Sequence, residues 1–335
     1  MVWDPGTATG LGPMPGADPL EAARIVFSEL PDLPFLPELP ARGVGADPVG
    51  RSARLLADLH VEVGTGVWRF VPRGGRDEQR AQLALTADLD ALEEAADGYE
   101  GQLKLRIVGP WTMAASIELP RGEKALADPG AVRDIAASLA EGLIRHLADL
   151  RNRIPAITRV VVQVDEPLLP SVVAGELATA SGWGRLRSYD KAVIEDGLRQ
   201  VLAAAGDELA GVWLGTSPVE PDLLRKVGAA FVGFDGAVID SIDEDSIGEA
   251  VDAGLGLLVA CVPLEAPRND PRPVTAPVRS LWRRLGFPLE QLARTVALTP
   301  VEGLDQLERS AVAGVFTRTV EAARYLDEFA GEEAS

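Results

Sequence analysis

The segment Gln163-Val164-Asp165-Glu166-Pro167 holds the residues best equipped for chemistry in this chain. It closes a run of branched apolar residues, Arg159–Val164, that reads as a buried strand. Adjacent residues at a strand end point to opposite sides, so one carboxylate turns inward and the other outward. Carboxylates at a buried edge repel one another and lose hydration, which calls for a partner cation or amine. Two readings of that need stand level: a site for an amine-bearing ligand, and a salt bridge to a neighbouring loop.

Other strand ends carry further candidates. In Thr9-Gly10-Leu11-Gly12-Pro13-Met14-Pro15-Gly16, Pro15 occupies the third glycine slot of a dinucleotide fingerprint, so that motif is excluded. Gly10 and Gly12 suit either a tight turn or the approach of backbone to a ligand. In Gly109-Pro110-Trp111-Thr112-Met113, the indole of Trp111 could stack on a flat ring or pack at a rim. Ser217, in Gly215-Thr216-Ser217-Pro218, reads as a helix N-cap rather than a nucleophile. No histidine stands at a strand end to activate it. His146 falls mid-helix and is read onto the helix surface, and His60 lies in an irregular stretch.

The elements that must position these residues alternate between strand and helix. Strands are expected at Leu103–Val108, Arg159–Val164, Gly211–Leu214, Ala230–Phe234, Gly256–Val262 and Arg294–Leu298, with weaker ones at Thr7–Gly12 and Phe35–Leu39. Helices are expected from Pro19 to Leu30 behind Asp18, from Pro129 to Asn152 behind Asp128, and over Asp190–Ala205, Pro218–Val227, Asp243–Ala253, Pro277–Leu285 and Gly303–Phe329. Eight such units predict an α/β TIM-type (β/α)8 barrel, with a doubly wound sheet as the alternative. It would be a single domain over residues 1–330, with an irregular insertion at Arg51–Pro72 after the second strand, read as a hairpin ending in Val67–Val71. Gly331–Ser335 would form a flexible tail.

Composition narrows the function classes. The lone cysteine, Cys261, cannot form an internal disulfide, and with only two histidines a four-ligand structural zinc site is close to impossible, while a three-ligand catalytic site that uses carboxylates is disfavoured. Against 51 acidic residues stand 32 basic ones, a net charge of −19 that argues against nucleic-acid partners. No apolar run reaches the roughly 18 residues of a membrane span, and no signal pattern opens the chain, so a cytoplasmic location is expected.

Taken in order, Thr9-Gly10…Pro15-Gly16, Gly109-Pro110…Thr112, Gln163-Val164-Asp165-Glu166-Pro167 and Thr299-Pro300…Gly303-Leu304 resemble the cobalamin-independent methionine synthases. The chain looks most like the short, single-barrel actinobacterial relatives of their C-terminal catalytic domain. The stretch Leu36-Pro37-Glu38-Leu39-Pro40-Ala41-Arg42-Gly43 is characteristic of that subgroup, and the resemblance covers nearly the whole chain. It implies a TIM-type barrel and methyl transfer from methyltetrahydrofolate to the homocysteine thiol, activated by zinc.

The family's zinc ligands are a His-x-Cys after the fifth strand, a Glu after the sixth and a Cys after the eighth. Here those positions read Gly215, Ser217, Asp235 and Glu302, so the thiolates and the imidazole are gone. No metal and no other cofactor is therefore expected. Asp165 matches the family aspartate that holds the homocysteine amino group, which implies a small-molecule ligand of the amino-acid class, while Glu166 would face the barrel wall. Gly109, Trp111, Gly10 and Gly12 complete the candidate substrate-binding set. Arg279, Arg283 and Arg284 could receive a folate tail but read as a solvated helix face. Three functions follow as expectations: a divergent methyltransferase with lost or altered activity, a non-catalytic ligand-binding or partner protein, and a metal-free lyase or decarboxylase on the same barrel, as in the uroporphyrinogen decarboxylases.

Overall fold

Six runs of Val, Leu, Ile and Ala form the sheet because each can be buried on both faces. The computed structural model describes residues 2–265 and 270–332. A hairpin comes first, β1 (His60–Val63) and β2 (Trp68–Val71), antiparallel with His60 opposite Val71. Then follow β3 (Gly101–Val108), β4 (Ile157–Asp165), β5 (Leu209–Trp213), β6 (Phe231–Asp235), β7 (Gly256–Val262) and β8 (Val296–Pro300). These six are parallel and adjacent in chain order.

Two short segments close the ring between β8 and β3. Ala8 bridges Leu298, Pro13 bridges Glu38 and Phe35 bridges Lys104, all in parallel. Thr9 N donates to Leu298 O at 3.0 Å, Glu38 N to Gly12 O at 2.9 Å, and Leu36 N to Lys104 O at 2.9 Å. These are the two segments expected as weak strands. Pro13, Pro15, Pro34 and Pro37 have no N–H to extend a ladder, so each contact stays a single bridge.

Alternation along the strands divides the interior in two. On β3, Leu103, Leu105 and Ile107 join the large core beneath the helices. A second cluster takes Val161 from β4, Trp213 from β5, Phe231 from β6, Leu258 from β7 and Ala297 from β8, which places it on the barrel axis. Trp3 joins it, donating Nε1–H to Leu257 O at 3.1 Å with its ring 5.0 Å from that of Phe231.

The capped helices form as the sequence predicts. Asp18 accepts from Leu20 N at 3.0 Å ahead of helix Pro19–Glu29, and Asp128 accepts from Gly130 N at 2.7 Å ahead of helix Pro129–Arg153. Several expectations are corrected. Arg76–Ala95 is a 20-residue helix that the sequence reading left unassigned; its buried face runs Ala81, Leu85, Asp88, Leu89, Leu92. Residues Pro110–Ser116 form a helix, not a loop. Helix Pro271–Leu285 starts six residues before Pro277, which sits inside it. The helix over Pro218–Val227 is only Pro221–Lys226, and the last helix is Arg309–Glu332. That helix includes Gly331 and Glu332 of the expected tail; the rest of the tail lies outside the described residues. No described helix is long and apolar enough to cross a membrane.

His146 is not on a helix surface. It lies on the buried face of helix Pro129–Arg153, 7 % exposed, and burial pushes its imidazole down to about 4, with the Arg51 charge adding to the effect.

Candidate functional site

The carboxyl ends of β3, β4, β5 and β8 surround a cavity of about 810 Å3, where a barrel's chemistry is expected. Its charged lining is Arg106, Asp165, Glu302 and Asp305, three carboxylates to one guanidinium. Trp213 contributes one wall, and Leu11, Leu264, Leu304 and Leu307 contribute apolar surface.

Asp165 ends β4 with its carboxylate turned into this mouth, 2 % exposed. Gln163 Nε2 donates to its Oδ1 at 2.8 Å, and Arg106 Nε donates to Oδ2. Burial moves the Asp165 carboxyl above the usual carboxylate range, against the pull of Arg106 and Gln163. Arg106 also donates through Nη1 to Glu38 Oε2 at 3.0 Å. Beyond Glu38, a buried chain of charges runs to Arg51 and on to Asp88 of helix Arg76–Ala95, where Arg42 Nη2 also donates at 2.6 Å. Under Asp165, Gln163 Oε1 accepts from Lys104 Nζ at 2.9 Å.

Glu166, next in sequence, faces the other way and is wholly buried. It accepts from Trp111 N at 2.9 Å and from Thr112 N at 2.7 Å, closing the start of helix Pro110–Ser116. Burial pushes its carboxyl up to about 7 despite those bonds. Gly109 is required beside it, because a Cβ there would stand 2.3 Å from Glu166 Oε1. Trp111 is fully buried, donates Nε1–H to Ile194 O at 3.2 Å, and meets Tyr189 edge-on at 5.1 Å. Its indole is therefore spent between helices, and the two roles weighed for it, stacking on a ligand and packing at the rim, are both corrected to core packing.

The two early glycines differ. Gly10 lies against the Phe35 ring, where a Cβ would come within 2.4 Å. Gly12 has φ +127° and backs onto Arg106, between Leu11 and Pro13 of the cavity lining.

Of the four positions expected to correspond to the metal ligands of the methionine synthases, Gly215 and Glu302 are neighbours. A Cβ on Gly215, whose φ is +63°, would lie 3.5 Å from Glu302 Oε1. Glu302 accepts from Trp213 Nε1 at 3.1 Å. Ser217 donates Oγ–H to Pro167 O at 2.8 Å and caps no helix, since the next one starts at Pro221. Asp235 accepts from Ala237 N at 2.8 Å as the cap of a short 3-10 turn. Among the described residues, no three or more His, Cys, Asp or Glu side chains converge as a metal site would require. Burial, with Asp235 nearby, pushes the Cys261 thiol up to about 12.

The sequence reading missed three residues here: Arg106 in the lining of the mouth, and Lys104 and Glu38 buried behind it. Lys104 and Arg106 sit two apart in Gln102-Leu103-Lys104-Leu105-Arg106-Ile107, which is strand alternation with charge on the inward face. That spacing was the available signal. The arginines weighed for a folate tail and read as a helix face are engaged locally: Arg279 lies 4.9 Å from the Phe329 ring centroid, and Arg284 donates to Glu244 at 2.6 Å. His60 pairs through Nδ1 with Glu78 at 3.0 Å.

A closed ring of parallel segments, helices outside and a polar mouth at the strand carboxyl ends define a TIM-type barrel. Among solved structures, a B12-independent methionine synthase from Shewanella sp. W3-18-1 in complex with selenomethionine matches with a TM-score of 0.61 and 10 % identity, over 97 % of this chain and 99 % of that one. A D-psicose 3-epimerase from Clostridium cellulolyticum H10 with D-tagatose reaches a TM-score of 0.45 at 12 % identity, covering 96 % and 98 % of the two chains. At such identities the likeness shows the fold alone. No family model and no curated protein matches the chain.

Proposed function

We propose that the barrel mouth binds a small molecule through a primary ammonium, with an amino acid as the ligand class, on a methionine-synthase-like barrel that has lost thiol activation by zinc. The observation that carries this reading is the Asp165 carboxylate, oriented by Gln163 and Arg106 into a cavity whose lining holds three carboxylates and one guanidinium. Each carboxylate oxygen has a second lone pair, so Asp165 can accept from a ligand without releasing its partners. Arg106 commits Nε and Nη1 to Asp165 and Glu38, leaving Nη2 for a ligand carboxylate. The leucines of the cavity suit an apolar side chain.

The donor set does not fit a thiol-activating zinc. Gly215 has no side chain, Ser217 is turned to Pro167, and Asp235 caps its own turn. The carboxylates are hard oxygen donors, poorly matched to the sulfur and nitrogen chemistry of such sites. Without that activation a homocysteine thiol stays mostly protonated at neutral pH, so methyl transfer is lost or altered in this reading. Thermal unfolding tests it. L-methionine raises the Tm by mass action, and 4-(methylthio)butanoate, which lacks the ammonium, does not. Equal responses to the two would overturn the reading.

A further inference from the structure

The binding reading leaves one buried charge without a task. Four of the 32 basic residues are lysines, and Lys104 is the one that is fully buried. It sits on the inner face of β3, one pleat below Arg106. Its Nζ donates to Gln163 Oε1 at 2.9 Å, and Gln163 passes the contact on through Nε2 to Asp165 Oδ1 at 2.8 Å. The Phe35 ring lies 5.7 Å from Nζ on another side. The charged groups that act on it are Asp165 from β4, Arg106 from β3 itself, and Glu38 from the segment beyond Phe35. With all ionised, two cations face two anions and the set is neutral.

An amine that has no carboxylate, docking its ammonium on Asp165, would leave this set with a net positive charge in a low-dielectric interior, which is costly, whereas an amino acid brings its own counter-charge to Arg106. Arginine cannot lose a proton to relieve it. Lysine can, and a neutral amine keeps N–H groups to donate to Gln163, so the geometry survives.

We propose that Lys104 is a positioning residue that orients Asp165 through Gln163 and releases its proton when a cation docks there, linking occupancy of the mouth to proton release from the barrel interior. The proposal rests on the reading of Asp165 as the ammonium site. Burial lowers the Lys104 amine to about 7, which makes the proton available near neutral pH. Binding that releases a proton strengthens as pH rises, by up to about tenfold per unit below that value, and levels off above it.

NMR of protein labelled at lysine Cε reads this directly, since the four lysines give four signals. In the ligand-free protein, Asp165→Asn removes one negative charge and so mimics the arriving cation. The Lys104 titration midpoint should fall from about 7 by a unit or more. If that variant does not fold, Glu38→Gln serves with the same expected direction. A Lys104 midpoint in the ordinary lysine range, or one unmoved by loss of the neighbouring carboxylate, overturns the proposal. A second arm adds 3-(methylthio)propylamine, which keeps the ammonium and lacks the carboxylate, to the wild-type protein, and the Lys104 signal should move to that of the neutral amine. Failure of that amine to bind would count against the mouth reading while the ligand-free arm still decides the coupling. Binding with an unchanged Lys104 signal would defeat the proposal and leave the mouth reading intact.

Discussion

Gly109 and Glu166 are fitted to each other: a Cβ on residue 109 would lie 2.3 Å from Glu166 Oε1, and the missing side chain lets that carboxylate reach two backbone N–H groups. The fit separates the adjacent acids. Asp165 faces the cavity, while Glu166 holds helix Pro110–Ser116 against the outer wall.

Gly109→Ala should therefore destabilise the fold by more than about 2 kcal/mol, because a buried carboxylate must move off its donors. Glu166→Gln should cost about 1–3 kcal/mol, since an amide offers one acceptor oxygen where two N–H groups need one each. Urea unfolding measures both. A Gly109→Ala protein as stable as wild type would contradict the fit.

Acid stability should show two opposing slopes. His146 sits at about 4 in the folded chain against an ordinary 6.5, so the unfolded chain binds that proton more tightly and stability is lost as pH falls from 6.5 toward 4. Glu166 sits at about 7 against an ordinary 4.5, so the folded chain binds its proton more tightly and stability is gained as pH falls from 7 toward 4.5. Each slope is at most about 1.4 kcal/mol per pH unit. His146→Leu should make the protein more acid-tolerant, and Glu166→Gln should make it less so, read as urea midpoints across that range. A His146→Leu protein with the wild-type slope would show that the imidazole is not the acid-sensitive group.

Installing the ligand types of the methionine synthases should not create a metal site. In a Gly215→His, Ser217→Cys, Glu302→Cys triple variant, the new imidazole must adopt φ near +63°, and residue 217 starts from a side chain turned toward Pro167. Equilibrium dialysis should find no tight zinc in the folded variant. One zinc retained per chain against a chelator would contradict this and show that the pocket can assemble such a site.

The six sheet strands were legible because a parallel strand buried on both faces must be a continuous apolar run, as Gly256–Val262 is. The two closing segments were legible only as weak strands, since their prolines limit them to single bridges. Helix Arg76–Ala95 escaped notice because its exposed face is dense with charge and a buried Asp88 interrupts the apolar stripe. Asp165 could be found from its strand-end position. Its partner Arg106 could not be found that way, because the pairing is set by the neighbouring strand and not by local sequence. His146 was readable, falling on the same helix face as Leu139, Leu143 and Leu150. Trp111 was not, because a strand-end position does not say which side of the next helix a ring will take.

The central claim is that Asp165 receives a ligand ammonium. Titration calorimetry of L-methionine against wild type and Asp165→Asn at pH 7.5 tests it most directly. Loss of a buried charge-assisted contact should weaken binding by about 10- to 100-fold. Binding of equal affinity to the two proteins would contradict the account.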